Sequence, residues 1–391
     1  MLKKKICLFS AMPPRGGGGS VSLRSMIANM PDVDISWQYV TEKVAVGYED
    51  GYMGPGFMGG PVKEDIYETW RMLTDRPSQK INKIVEHLLS IECDGYWIVS
   101  YNEGLRVALE LTRRQKQRPV HMSVHDDWAG AICGRSMRYR FMAGPAKKMT
   151  VLTLKSVTSF DATSRGMRDY YKQLSGRDSG VTHRYITAQS VTSTPEYKSH
   201  DTEKITVGHI GSLYVKADFF KFLSLLFEYA RLKNKQPEVH LWGCHLNAAE
   251  IPVSFRDNVH FHDTLPEKKV IPELARCRLV YAMYPMSKRF GIFSKTSMQT
   301  KLASYIQARR PVFGQGPADS SLAEYLDTTE LGKLWDAENK AQGMDILDAL
   351  MDLHPTLAQL QYAREQYFGE HNIEVVRNGI LNCSYESPFI L

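Results

Sequence analysis

The stretch Tyr284–Gly314, YPMSKRFGIFSKTSMQTKLASYIQARRPVFG, decides how the chain folds. Its apolar and polar residues read as a strand end, a glycine-bearing loop, a helix starting at Thr300–Lys301 with Leu302, Tyr305 and Ile306 on one face, and a short strand Pro311–Val312–Phe313. Strand, loop, helix, strand is the unit from which parallel α/β sheets are built. The N-terminus of such a helix carries unpaired N–H groups and the positive end of the dipole. The hydroxyl of Thr300 and the ammonium of Lys301 would complete a diphosphate cradle there.

The same unit recurs on either side. Ile205–Ile210 is an apolar strand that feeds the turn Gly211–Ser212, with Lys216 just beyond and a helix over Asp218–Leu232. Glu238–Gly243 and Val259–Asp263 follow as strands, then a helix over Leu265–Arg276 and a strand over Arg278–Ala282. At the other end of the chain, Ile6–Phe9 opens into Gly16–Ser20, including Gly17, Gly18 and Gly19, and a helical run from Val21. Strands over Asp34–Val40 and Tyr96–Ser100, a helix over Glu103–Arg114 and a strand over Pro119–Asp126 come next. Ligands of doubly wound sheets sit at the carboxyl ends of strands, so His125 and Asp126 are expected to project toward a site.

Three segments carry a family resemblance: Thr300-Lys301-Leu302 with Tyr305 and Arg310-Pro311-Val312, the Gly211-Ser212-Leu213-Tyr214 turn with Lys216, and the His125-Asp126 strand end with Trp128. In these the chain resembles GT-B nucleotide-sugar glycosyltransferases, particularly those similar to family 4. It departs from that pattern where Ser304 stands for a glutamate, Arg309 for a glycine, and Thr296 near the first of two paired glutamates.

The resemblance implies two facing Rossmann-like doubly wound α/β domains with an interdomain cleft. The expected division is an acceptor-binding domain over 1–190, a linker over 191–204, a donor-binding domain over 205–363, and a terminal helix over 364–391 that crosses back. It further implies a nucleotide-diphosphate sugar donor held by Gly211, Ser212, Gly243, His260, Phe261, Lys295, Thr300 and Lys301, with Arg289 as a further candidate cation. Lys216 and Lys301 would neutralise the leaving diphosphate, His125 and Asp126 would act on the transferred sugar, and Gly17–Gly19 would approach the acceptor, a glycan or a lipid-linked group. Retention of configuration, with neither a metal nor another cofactor, is the expected chemistry. Two rivals stay open: a sugar-nucleotide epimerase on the same architecture, and a non-catalytic scaffold subunit, for which the absent glutamates argue.

Composition sets the outer bounds. At 391 residues, 43% hydrophobic and 24% charged, the chain has the make-up of a globular protein of two domains. It has no apolar run long enough to span a bilayer and begins directly in a strand, so a cytoplasmic protein is expected. A net charge of +6 suits anionic partners such as sugar nucleotides and lipid phosphates but is too small to argue for nucleic acid. Residues 135–155 interleave Arg135, Arg138, Arg140, Lys147, Lys148 and Lys155 with apolar side chains, either a solvated helix or an interfacial face for the inner membrane surface. The six cysteines form no CxxC pair. His209, His240, His245, His260 and His262 show no ligand spacing such as HxxxH, so no metal site is expected from the sequence.

Overall fold

The computed structural model describes residues 3–15, 17–57, 67, 70–71, 74–130, 140–193 and 203–381. The chain divides into two compact units: residues 1–185, 296–298 and 370–391 form the first, and residues 186–295 and 299–369 form the second.

In the first unit six parallel strands are ordered β2-β1-β3-β4-β5-β6: β1 (Lys4–Ser10), β2 (Val33–Tyr39), β3 (Gly95–Val99), β4 (Val120–Val124), β5 (Ser159–Ala162) and β6 (Gly180–Val181). Ile6, Cys7, Leu8 and Phe9 are all fully buried, as strands covered by helices on both faces must be. The helices are α1 (Gly19–Ile27), α2 (Gln79–Ser90), α3 (Glu103–Arg114), α4 (Arg140–Ser156), α5 (Arg165–Ser175) and, from the end of the chain, His371–Leu381. Ser78 and Ser164 cap α2 and α5 through their hydroxyls, accepting from the N–H groups of Ile81 (3.2 Å) and Met167 (2.9 Å). The terminal helix buries Val376 and Ile380 in the core of this unit, and Arg377 Nε donates to Asp32 Oδ2 at 2.9 Å.

The second unit holds β7 (Lys204–Ile210), β8 (Gln236–Trp242), β9 (Val259–His262), β10 (Leu279–Met283), β11 (Val312–Gln315) and β12 (Gly332–Trp335), all parallel, in the order β9-β8-β7-β10-β11-β12. Counted from β7 this is 3-2-1-4-5-6, the doubly wound order whose switch point lies between β7 and β10. Its helices include α6 (Ala188–Thr192), α7 (Lys216–Leu232), α8 (Glu267–Arg276), α9 (Gly291–Thr296), α10 (Lys301–Ala308), α11 (Ser321–Thr329), α12 (Lys340–Asp352) and α13 (Leu357–Ala363). Phe222, Tyr281 and Phe313 form the centre of the core, with Phe222 and Tyr281 stacked at 4.2 Å between ring centroids.

Three local features go beyond the sequence reading. The loop expected after Tyr284 contains α9, anchored by Phe293 edge-on to Tyr214 and Tyr284. Strand β12 carries no apolar alternation, and its Gly332 lies so close to β11 that a Cβ would stand 2.1 Å from the carbonyl of Val312. The polar run expected as linker begins inside α6, which Thr187 caps and which buries Val191; residues 194–202 lie outside the described residues.

Among the described residues no helix is long and apolar enough to cross a membrane. Arg135 and Arg138 fall outside them, but α4 buries Met142, Ala146, Met149 and Leu154 and exposes Phe141, Lys147, Lys148 and Lys155.

Candidate functional site

The second unit gathers polar groups at its switch point. Strand β7 ends in His209–Ile210, and the chain then turns through Gly211, whose φ of +76° is a left-handed conformation open to glycine and whose missing Cβ would face empty space. The Gly211 N–H donates to the carbonyl of Trp242, holding the turn at the sheet end. Lys301, the first residue of α10, reaches this turn: its ammonium lies 3.2 Å from the carbonyl of Ser212 and 3.3 Å from Nε2 of His209.

His209 sits fully buried inside an apolar strand and carries the arrangement. Its Nδ1 donates to the carbonyl of Tyr281 at 2.9 Å, which leaves Nε2 as the acceptor for Lys301. Burial, then the charge of Lys301, pushes the imidazole down to about 3, so it is neutral at any working pH. Burial also pushes Lys301 down to about 7. The remaining motif residues serve as struts. Tyr305 donates its hydroxyl to the same Tyr281 carbonyl at 2.8 Å, and Gln299 Nε2 donates to the carbonyl of Met283 at 2.6 Å. Tyr214 stacks on Tyr284 at 6.0 Å, and Asp218 accepts from the Met286 N–H at 3.1 Å, tying the loop after β10 to the one after β7.

The other expected donor residues are distributed around this point. Thr300 has helical dihedrals and its side chain does not cap α10. Lys216 is the first residue of α7 rather than part of the turn, and it is ion-paired with Glu250 at the surface. Lys295 is exposed, 3.8 Å from Asp319. Gly243 follows β8 with φ +61°, and a Cβ there would stand 2.7 Å from Thr264 Oγ1. Phe261 is partly buried and packs against the core, while His260 stands opposite His240 in the β8–β9 register. Ser304 meets a glutamate from α8: the Ser304 hydroxyl donates to Glu267 Oε1 at 3.1 Å, and Gln307 Nε2 does so at 3.2 Å.

In the first unit two of the expected groups meet. His125 follows β4 and its ring lies on the N-terminal turn of α1, where a Cβ on Gly19 would stand 2.5 Å from Nδ1. Gly18 precedes it with φ +55°, and Gly17 has open space where a side chain would go. Desolvation lowers the His125 pKa. Asp126 is pushed up to about 6 by desolvation, opposed by a hydrogen bond from the Ser297 hydroxyl (3.3 Å) and reinforced by the neighbouring carboxylate of Asp127. Asp127 is itself buried, accepting from the Tyr171 hydroxyl and the Gly130 N–H, both at 2.6 Å. Sequence reasoning missed Ser297, which comes from the far side of the chain, and missed His209 as a positioning group. A polar residue inside the apolar run Ile205–Ile210 was the available signal for the latter.

A scan against protein-family models finds no match, and a search of curated proteins finds none either. Solved structures do match over nearly the full length. The N-terminal domain of a Candida albicans trehalose-6-phosphate phosphatase is 8% identical, with 98% of each chain covered and a TM-score of 0.65. A mutant of S. aureus TarM in complex with Fondaparinux, alpha-GlcNAc-glycerol and UDP is 11% identical, covering 97% of this chain and 100% of that one, with a TM-score of 0.63. An alpha-glucosyltransferase in complex with UDP and a DNA 13-mer containing an HMU base is 12% identical, covering 98% and 100%, with a TM-score of 0.57. At such identities the likeness concerns the fold, and the chain has the GT-B architecture of two Rossmann-like α/β units.

Proposed function

We propose that the chain is a glycosyltransferase that takes a sugar from a nucleotide-diphosphate donor bound at the β7–β10 switch point. The observation that carries this reading is Lys301: a part-buried ammonium at a helix N-terminus, held by His209 and the Ser212 carbonyl beside a glycine turn. Breaking the sugar–phosphate bond builds negative charge on the leaving diphosphate, and fixed donors in a desolvated site stabilise that charge by ~3 kcal/mol each. Lys301 would supply one such donor beside the Gly211–Ser212 turn. Lys216 joins it by exchanging its partner Glu250 for a phosphate oxygen. Glu267, presented beside Ser304, would receive hydroxyls of the donor in place of the missing glutamate.

His125 and Asp126 would serve the transferred sugar, one a neutral imidazole that accepts or donates a hydrogen bond, the other a carboxyl near its titration point. Ammonium and amide donors at the cradle favour a metal-independent reaction, and the resemblance favours retention. The acceptor is a glycan or a lipid-linked group, with the exposed basic face of α4 as its route to an anionic membrane.

The test is incubation with a panel of nucleotide-diphosphate sugars and mass spectrometry of the products. Free nucleotide together with a glycosylated acceptor is expected. An altered donor sugar without acceptor would point to the epimerase, and no bound nucleoside diphosphate of any base would point to the scaffold.

A further inference from the structure

We propose that Glu238, His240 and His260 form a binding site for a divalent transition metal of the zinc class, at the β8–β9 edge of the second sheet and outside the diphosphate cradle. The sequence conceals this because the ligands are joined by strand register, not by spacing. β8 and β9 pair in parallel with His240 opposite His260 and Trp242 opposite His262. Alternate residues of a strand share a face, so Glu238, His240, His260 and His262 all project from the same side of the sheet. One ligand atom from each of Glu238, His240 and His260 falls within 4.8 Å of the other two.

The surroundings fix the rings as outer partners of metal ligands do. His240 Nδ1 lies 3.0 Å from Nε2 of His262, and with the proton on Nδ1 the Nε2 lone pair is left on the side of Glu238, whose Oε2 is 3.9 Å away. The rings of His262 and Trp242 stack at 4.9 Å, and those of His240 and His262 at 5.3 Å, which holds the imidazole planes parallel. Lys204 donates to the other Glu238 oxygen at 2.8 Å, orienting the carboxylate. Glu273 of α8 adds negative charge that both His240 and His262 feel. Two imidazoles and a carboxylate suit zinc and its neighbours, whereas magnesium demands oxygen ligands. Three protein ligands leave a fourth position for water.

The full chain, stripped with a chelator and dialysed, is titrated calorimetrically with zinc chloride and with magnesium chloride. One equivalent of zinc is expected to bind, magnesium to give no heat, and His240→Gln and His260→Gln each to weaken zinc about tenfold or more. His245→Gln, an exposed position near β8, should leave zinc binding unchanged. Thermal unfolding without metal checks that the variants fold, and cobalt substitution of the wild type reads the ligand set independently of any variant. Zinc binding weaker than a Kd of about 100 µM, binding that survives in both histidine variants, or a thiolate charge-transfer band with cobalt would each overturn the assignment.

Discussion

The ammonium of Lys301 stands 3.3 Å from Nε2 of His209, an imidazole whose other nitrogen is committed to the Tyr281 carbonyl. The histidine therefore receives the lysine as an uncharged acceptor. Lys301 is held at the mouth of the glycine turn without a carboxylate partner in that bond, and its charge remains available for an anion.

With Lys301 pushed down to about 7, nucleoside diphosphate affinity should fall as pH rises from about 7 to 9, and binding should be accompanied by proton uptake. Calorimetry in buffers of different ionisation enthalpy measures both. In Lys301→Arg the pH dependence should flatten, because a guanidinium stays charged throughout. The unliganded protein should show the linked effect: between about 7 and the ordinary lysine value the unfolded chain binds the proton and the folded one does not, so this group makes stability rise with pH there.

Lys216 and Glu250 form a solvent-screened surface pair that contributes little to the fold. Lys216→Ala should leave the melting temperature nearly unchanged and lower turnover by about tenfold to a hundredfold through loss of a diphosphate donor. Equal turnover in the two proteins would return Lys216 to the role of a surface ion pair.

A methyl group on Gly19 would collide with the His125 ring. Gly19→Ala is therefore expected to displace the imidazole and to lower transfer as His125→Ala should, while nucleotide affinity, proposed to reside in the second unit, stays unchanged. Steady-state kinetics with nucleotide binding measured in parallel separates the two quantities.

Asp126 is pushed up to about 6, above its unfolded value, so protons favour the folded state and stability from this group is lost as pH rises through about 6. Asp126→Asn should raise stability by about 1 kcal/mol at pH 8 and by less at pH 5, at the expense of activity. Denaturant titrations at the two pH values check the sign.

The elements that sequence reasoning recovered are those with buried apolar runs bounded by turns. Ile205–Ile210 and Glu103–Arg114 needed no tertiary information to be recognised as strand and helix. Those it missed owe their form to contacts far along the chain: α9 is set by Phe293 against Tyr214 and Tyr284, and β12 by its approach to Val312. The site divides the same way. Gly211, Lys301 and His125 announce themselves through turn chemistry and position at element ends. Ser297 beside Asp126, Glu267 beside Ser304 and His260 opposite His240 depend on pairing and packing that spacing does not encode. The hydrogen bond from Ser304 to Glu267 likewise joins α10 to α8, a pairing that the sequence does not encode.

Lys301, braced by His209, is proposed to hold the diphosphate of a sugar nucleotide. Calorimetric titration of the wild type and Lys301→Met with uridine and guanosine diphosphates tests it most directly. Saturable binding of at least one diphosphate to the wild type and a loss of about a hundredfold in the variant are expected. Binding of equal strength to both proteins would contradict it.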